Sequence, residues 1–340
     1  MDLQTAIEEY FHGKIDFINY IQDDILITIR NGSTYRLQKQ DGSCGRNMFT
    51  YASLIHMSNN RFRNIMQPLN VSPLIYENKI YYAFHYNTGR EGSLENMQDV
   101  RQCAALMAQM HKAGDGFTAQ KALRIMNELN KSDDGEELIA DIGKYVRKDL
   151  GKLPELYAHR WSELARYKKI AGRRNGYFDY EYIAIADYYC AKAEMLCQRL
   201  AASGYNELVT FYSLKGAVCH KEFTAHNVVF SDKPYIVNFD NCSIDLPVLD
   251  LANLIKRKMR KDKWSTATAH TIINSYIKQR DLTQADINVL KIVLEFPQKL
   301  WRIVNKYYNS RKAWCEKSCL QKLEEIKNEK DGMEAVIKSL

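Results

Sequence analysis

The sequence predicts an α+β fold with two lobes, a small β-rich lobe followed by a larger, mainly helical one. Two periodicities carry this expectation. Up to Gly89 the apolar residues alternate with the two-residue period of strands, and beyond Gly89-Arg90-Glu91 they recur with the 3.6-residue period of helices. A third observation is a single strand-like interruption of the helical part, around Val218 to Cys242. At 340 residues, 46% hydrophobic and 26% charged, the chain has core enough for one large two-lobed domain.

In the first lobe, "DILITIRNGSTYRLQK" gives two alternating runs around Asn31-Gly32, a pair that tolerates positive φ and so favours a hairpin. "LIYENKIYYAFHY", Leu74 to Tyr86, gives a second hairpin turning at Glu77-Asn78, and the stretch from Asn47 to Met66 is helical in character. These place the small lobe at residues 1–85, a hinge at 86–91 and the helical lobe at 92–340. In that lobe a helix from Asn96 to Ala113 lines up Val100, Cys103, Met107 and Met110 and stops at Gly114. Further helices are expected over Pro154 to Lys169, over Tyr180 to Ala202, and in "PVLDLANLIKRKM" after a "DLP" turn. In "FPQKLWRIVNKYY" Pro297 suits a first turn or a kink.

Composition narrows the partners. No apolar run approaches the ~20 residues that span a bilayer, and "MDLQTAIEEYFHG" has no apolar leader segment, so a cytoplasmic protein without membrane contact is expected. The eight cysteines form no Cys-x-x-Cys pair and read as reduced thiols. The net charge of +7 is concentrated in Lys256 to Lys263, at the end of an apolar-striped helix. Cations there complement the helix dipole. The expectation is a mostly exposed cluster in which reversing Lys258 and Arg260 leaves folding intact. No nucleic-acid-binding signature accompanies it, so nucleic acid is not an expected partner.

The chemistry-bearing stretch is "VCHKEFTAHNVVF", Val218 to Phe230, a polar loop between apolar runs. In phosphoryl transfer a loop aspartate takes the proton of the attacking hydroxyl, and an asparagine five residues on holds one metal. A second aspartate on the next strand holds the metal that bridges the phosphates. His220, Glu222 and Asn227 keep the loop spacing, "YIVNFDNC" supplies Asn238 and Asp240, and Asp250 lies in the helix that follows.

With loop, strand and "DLANLI" helix in this order, the chain resembles the aminoglycoside phosphotransferase and choline kinase-like superfamily, with its protein kinase-like fold. Within it the chain is similar to the CotS-type spore-coat proteins of endospore-forming bacteria. "MAQMHKAGDGF", "YFDYEY" and "FPQKLWRIVNKYYNSRKAW" point to the coat branch. The resemblance implies a catalytic-like loop at 218–240 and association with the spore coat after synthesis in the mother-cell cytoplasm. It implies coat proteins or coat polysaccharide as partners. If the chain is active, ATP and Mg²⁺ are the cofactors and a small-molecule or sugar hydroxyl is the substrate.

The departures from the pattern decide the functional expectation. Glu222 stands at the base position, where a displacement of ~1 Å can cost ~100-fold. Asn238 stands at the metal position, and a missing unit charge at ~4 Å is worth about 4 kcal/mol at an effective dielectric of 20. Gln38 stands where the phosphate-holding lysine belongs, with Lys39 one residue late and facing the other way. From Ser43 to Tyr76 there is no acid to pair with such a lysine. His220 then reads as a loop brace, Asp250 as a cap or anchor of its helix, and Asp240 as a bracing carboxylate or substitute metal ligand. A degenerate kinase is the expected function; the alternative is an active kinase with Glu222 as base and Asn227 and Asp240 on magnesium.

Overall fold

The alternating runs fold into one antiparallel sheet. In the computed structural model, which describes residues 2–21, 24–39, 44–69, 73–77, 79–131, 137, 139–309 and 315–340, helix α1 (Leu3–Phe11) leads into β1 (Ile15–Ile21), β2 (Asp24–Ile29) and β3 (Thr34–Lys39). Helix α2 (Cys44–Asn59), β4 (Leu74–Tyr76) and β5 (Lys79–His85) follow, and the sheet order is β1-β2-β3-β5-β4. The first turn falls at Asn31-Gly32 as expected, with Gly32 at φ +82° and the Ser33 N–H donating to Asn31 Oδ1 at 2.9 Å. Register Ile25↔Leu37 and Ile27↔Tyr35 brings the apolar alternates onto one face, where Ala6 and Ile7 of α1 cover them. Neither α1 nor β1 was part of the sequence expectation. Asn78 of the second expected turn lies outside the described residues, as do 310–314 of the aromatic stretch ending at Trp314.

The last two residues of the expected hinge form a strand. Arg90–Glu91 (β6) joins Val228–Phe230 (β7) and Tyr235–Ile236 (β8) in a small sheet of order β6-β7-β8. Arg90 makes a two-pronged ion pair, 2.6 and 2.8 Å, with Asp99 in the first turn of α3 (Met97–Ala113). That hydrogen-bonded guanidinium holds the Asp99 carboxyl below the usual carboxylate range. Helix α4 (Ala119–Leu129) comes next. By packing the chain forms two compact units, residues 1–148 with 214–247, and residues 149–213 with 248–340. The loop that carries the motif therefore belongs to the same unit as the five-stranded sheet.

The second unit is helical: α5 (Leu153–Ala171), α6 (Tyr177–Ala201), most of α7 (Tyr205–Lys215), α8 (Pro247–Met259) beyond its first residue, α9 (Thr266–Ile277), α10 (Gln284–Glu295), α11 (Gln298–Asn309) and α12 (Cys315–Ser339). Helix α6 starts three residues before the expected Tyr180 because Asp179, in its first turn, accepts the Gly176 N–H at 3.1 Å and the Tyr308 hydroxyl at 2.6 Å. Pro297 lies between α10 and α11, so it separates two helices rather than bending one. Asp250 is fully buried within the first turn of α8, inside the helix and not at a cap position. No helix among the described residues is long and apolar enough to cross a membrane, and the six cysteines with described side chains are free thiols.

One expectation about the basic cluster is overturned. Arg257, Arg260, Lys261 and Lys263 are exposed, but Lys258 keeps only 3% of its surface and bonds Asp262 Oδ1 at 2.8 Å. Asp262 Oδ2 in turn accepts the Thr268 hydroxyl at 3.0 Å, joining the end of α8 to α9. Sequence position gave the helix end but not which side of the last turn faced inward. Lys258→Glu would set two acids together in that buried place. It is expected to destabilise the fold by about 3–5 kcal/mol, whereas Arg260→Glu stays near neutral for folding; urea denaturation of the two single variants separates them.

Candidate functional site

The loop between Cys219 and Ser243 is closed by two backbone hydrogen bonds, Cys219 N–H to Ser243 O at 2.9 Å and Ser243 N–H to Cys219 O at 3.0 Å. The strand expected before the loop is reduced to this one bridge. His220, next along, is fully buried between Phe223 and Phe239 and its Nε2 meets the Val237 carbonyl at 2.9 Å. Lys221, in a left-handed conformation, reaches the buried Asp245 carboxylate at 2.5 Å. Glu222 then emerges exposed. The loop closes in a 3₁₀ turn, Ala225–Asn227, seated against Gly92, where a Cβ would come within 2.5 Å of the Ala225 carbonyl oxygen.

Asn227 and Asn238, both expected to face a metal, are bonded to each other. Asn227 Nδ2 donates to the Glu222 carbonyl at 3.0 Å, which turns its Oδ1 toward Asn238, and that oxygen accepts Asn238 Nδ2 at 2.9 Å. Asn238 occupies the left-handed region at φ +62°, a conformation asparagine tolerates better than most residues. The Val237 N–H donates to the Asn227 carbonyl at 2.9 Å, so the two segments are also laced through the backbone.

Gln38 and Asp240 meet as well. The buried Gln38 amide, on β3, donates to both carboxylate oxygens of Asp240 at 3.1 and 3.3 Å. Asp240 itself is exposed, yet the protein crowded around its carboxylate raises its pKa, opposed first by the Gln38 amide and then by Arg36. Lys39 is placed otherwise: its backbone N–H donates to Asp24 Oδ1 at 3.0 Å, and strand alternation turns its side chain to the face opposite Gln38. On α2, Asn47, Thr50 and Tyr51 line a small pocket with Gln38 and Asp240, and the helix brings no carboxylate there. Burial pushes the Tyr51 phenol up, and its hydroxyl and the Asn47 amide nitrogen have no hydrogen-bond partner among the described residues.

The structure thus brings together His220, Glu222, Asn227, Asn238, Asp240 and Gln38 in one unit. Asp250 belongs to the other unit. Sequence reasoning missed three contributors. Arg147 donates to the Asp240 carbonyl and to Asn241 Oδ1, and no local pattern marks it. Asn47 and Tyr51 sit on a helix whose apolar stripe is weak. The Arg36–Asp24 pair was within reach, because the Asn31-Gly32 turn sets Leu26 opposite Arg36 and so puts Asp24 on the diagonal.

A family model described as "Spore coat putative kinase YutH" matches residues 140–340. Spore coat protein S of Bacillus subtilis (strain 168) is 23% identical over 259 residues, 74% of this chain and 68% of that protein. Among solved structures, an aminoglycoside phosphotransferase from Alicyclobacillus acidocaldarius is similar with a TM-score of 0.74 and 17% identity, over 96% of this chain and 91% of that one. A spectinomycin phosphotransferase, solved with ADP and spectinomycin, has a TM-score of 0.54 and 13% identity over 100% and 99% of the two chains. An amicoumacin kinase, solved with AMP-PNP and Ca²⁺, has a TM-score of 0.51 and 11% identity over 97% and 94%. At these identities the likeness is one of fold, and the fold is aminoglycoside phosphotransferase-like.

The Gln38–Asp240 contact has a pH signature. A carboxyl whose folded pKa lies above its unfolded value destabilises the fold at neutral pH, and that cost fades as pH falls through the folded pKa. Gln38→Leu removes the hydrogen bonds that oppose the rise. It is expected to cost about 1 kcal/mol at pH 7 and less toward pH 4, measured by thermal unfolding across that range.

Proposed function

This chain belongs to the spore-coat YutH family, and from that premise we propose that it works at the spore coat by binding, on a phosphotransferase frame with weak or no phosphotransfer of its own. The amide pair Asn227–Asn238 carries this reading. A magnesium site asks for oxygens turned inward, at least one of them charged. Here the Asn227 oxygen faces a donated N–H and position 238 brings no charge. The residues as arranged do not fit the ion.

Nor does position 38 of β3 bring a cation to a nucleotide's phosphates, since Gln38 offers a neutral amide that is already bonded to Asp240. Glu222 alone would be a tolerable change, because general-base help is worth only ~10²–10⁴-fold. Losing metal and phosphate neutralisation removes the main source of transition-state stabilisation in phosphoryl transfer. His220, held to Val237, braces the loop without taking part in chemistry. In this reading the partners are other coat proteins or coat polysaccharide. The protein is made in the mother-cell cytoplasm and then joins the coat, consistent with its similarity to spore coat protein S.

A second reading has one observation in its favour: Glu222, at the base position, and Asp240 are both exposed residues. In it the protein is an ATP- and Mg²⁺-dependent kinase acting on a small-molecule or sugar hydroxyl, with Glu222 as base. The solved phosphotransferase relatives with bound ADP and AMP-PNP make a nucleotide plausible.

Calorimetry with magnesium-ATP divides the two. The natural chain is expected to bind weakly, and the combined Gln38→Lys, Glu222→Asp and Asn238→Asp variant about tenfold tighter or more. Micromolar, magnesium-dependent binding by the natural chain, weakened by Asn238→Ala, overturns the non-catalytic reading.

A further inference from the structure

The basic cluster that the kinase-like loop does not use forms a site of its own in the helical unit. Lys256 and Arg260 lie one turn apart at the end of α8 and line a recess whose walls include Trp264, Phe296 and Leu300. At Arg260, Lys299 and Glu329 this recess is continuous with a wider one that Arg302 lines. The side chains of Lys256, Arg260 and Arg302 make no ion pair or hydrogen bond among the described residues. The acids beside them are already engaged: Glu325 and Glu329 both hold Lys299, at 2.9 and 2.8 Å. Burial, and then the guanidiniums of Arg260, Arg302 and Arg160, push the Lys256 ammonium down to about 7. The wall is built on an uncommon backbone, since Lys263 and the buried Trp264 are consecutive left-handed residues at φ +49° and +59°.

We propose that this recess binds a phosphate monoester, its phosphate on Lys256, Arg260 and Arg302 and its apolar group against Trp264, Phe296 and Leu300. Three cations whose neighbouring acids, Glu325 and Glu329, are held by Lys299 repel one another and are relieved by an anion. A phosphate monoester carries about −1.5 to −2 near neutral pH, and guanidiniums meet phosphate oxygens in pairs. A carboxylate would leave most of the charge uncompensated. The apolar wall asks for an attached ring or short chain, which either a small organic phosphate or a phosphotyrosyl side chain supplies.

The test uses the full chain with phenyl phosphate, inorganic phosphate and phenol at fixed ionic strength, read by calorimetry. Saturable binding of phenyl phosphate is expected, weaker for inorganic phosphate and absent for phenol. Lys256→Met and Arg302→Gln should each weaken it about tenfold or more. A phosphotyrosyl peptide that binds tighter than phenyl phosphate assigns the ligand to a modified protein; one that binds no tighter assigns it to a small molecule. No saturable binding of either probe, or binding unchanged in both variants, overturns the proposal. Lys256→Met also removes an unrelieved charge, so its Tm should exceed that of the natural chain below pH 7. The gain should shrink as pH rises above 7 and vanish only above about pH 11, beyond the unfolded lysine's own pKa. A lower Tm in that variant would contradict an unpaired Lys256.

Discussion

A single buried hydrogen bond, from His220 to the Val237 carbonyl, sets the shape on which the candidate site depends. The imidazole is closed off from water between two phenylalanine rings, so its loss would leave polar groups stranded in an apolar place. It ties the start of the loop to the strand segment that ends it. Everything between follows from that closure: the left-handed turn at Lys221, the exposed Glu222, and the approach of Asn227 to Asn238. A histidine in such a loop can look catalytic in sequence while its work is purely geometric.

Around this frame, charge and neutrality are divided in an orderly way. Ion pairs hold the elements of the first unit in place: Arg90 with Asp99, Arg36 with Asp24, Lys221 with Asp245. Gln38, Asn227 and Asn238 bring only amides to the candidate site, which bond to each other and to Asp240. An amide copies the outline of a carboxylate and can keep a loop's shape, but it cannot neutralise phosphate or hold a hard cation with the same strength. On the proposed non-catalytic reading, the fold keeps its geometry while these positions bring no charge.

The fold was largely legible because two periods were written cleanly into the chain. Asn31-Gly32 and the alternation around it fixed the β2–β3 hairpin and its register. What escaped needed tertiary information. β6 is only two residues long and is a strand solely because β7 pairs with it. Lys258 lies one residue from exposed neighbours, and only the packing of α9 turns it inward. At the site, identities and spacing told which charges were missing, since that is a property of residue type. The replacements were not legible: that Gln38 would bond Asp240, or that Arg147 would hold its backbone carbonyl, depends on contacts across 202 and 93 residues of sequence.

The left-handed backbone at Asn238 has a consequence for how such a site changes over generations. That conformation is comfortable for glycine, asparagine and aspartate and strained for nearly everything else. Few residues can therefore replace Asn238 without straining the turn. Glycine would leave the loop without a side chain to lace it. Asparagine, a single base change from aspartate, keeps the turn and adds a donor that fastens the loop to itself. Aspartate at 238 would keep the same turn but lack the Nδ2–H that Asn227 accepts, so exchanging the two residues would trade a charge against a bond that holds the loop together.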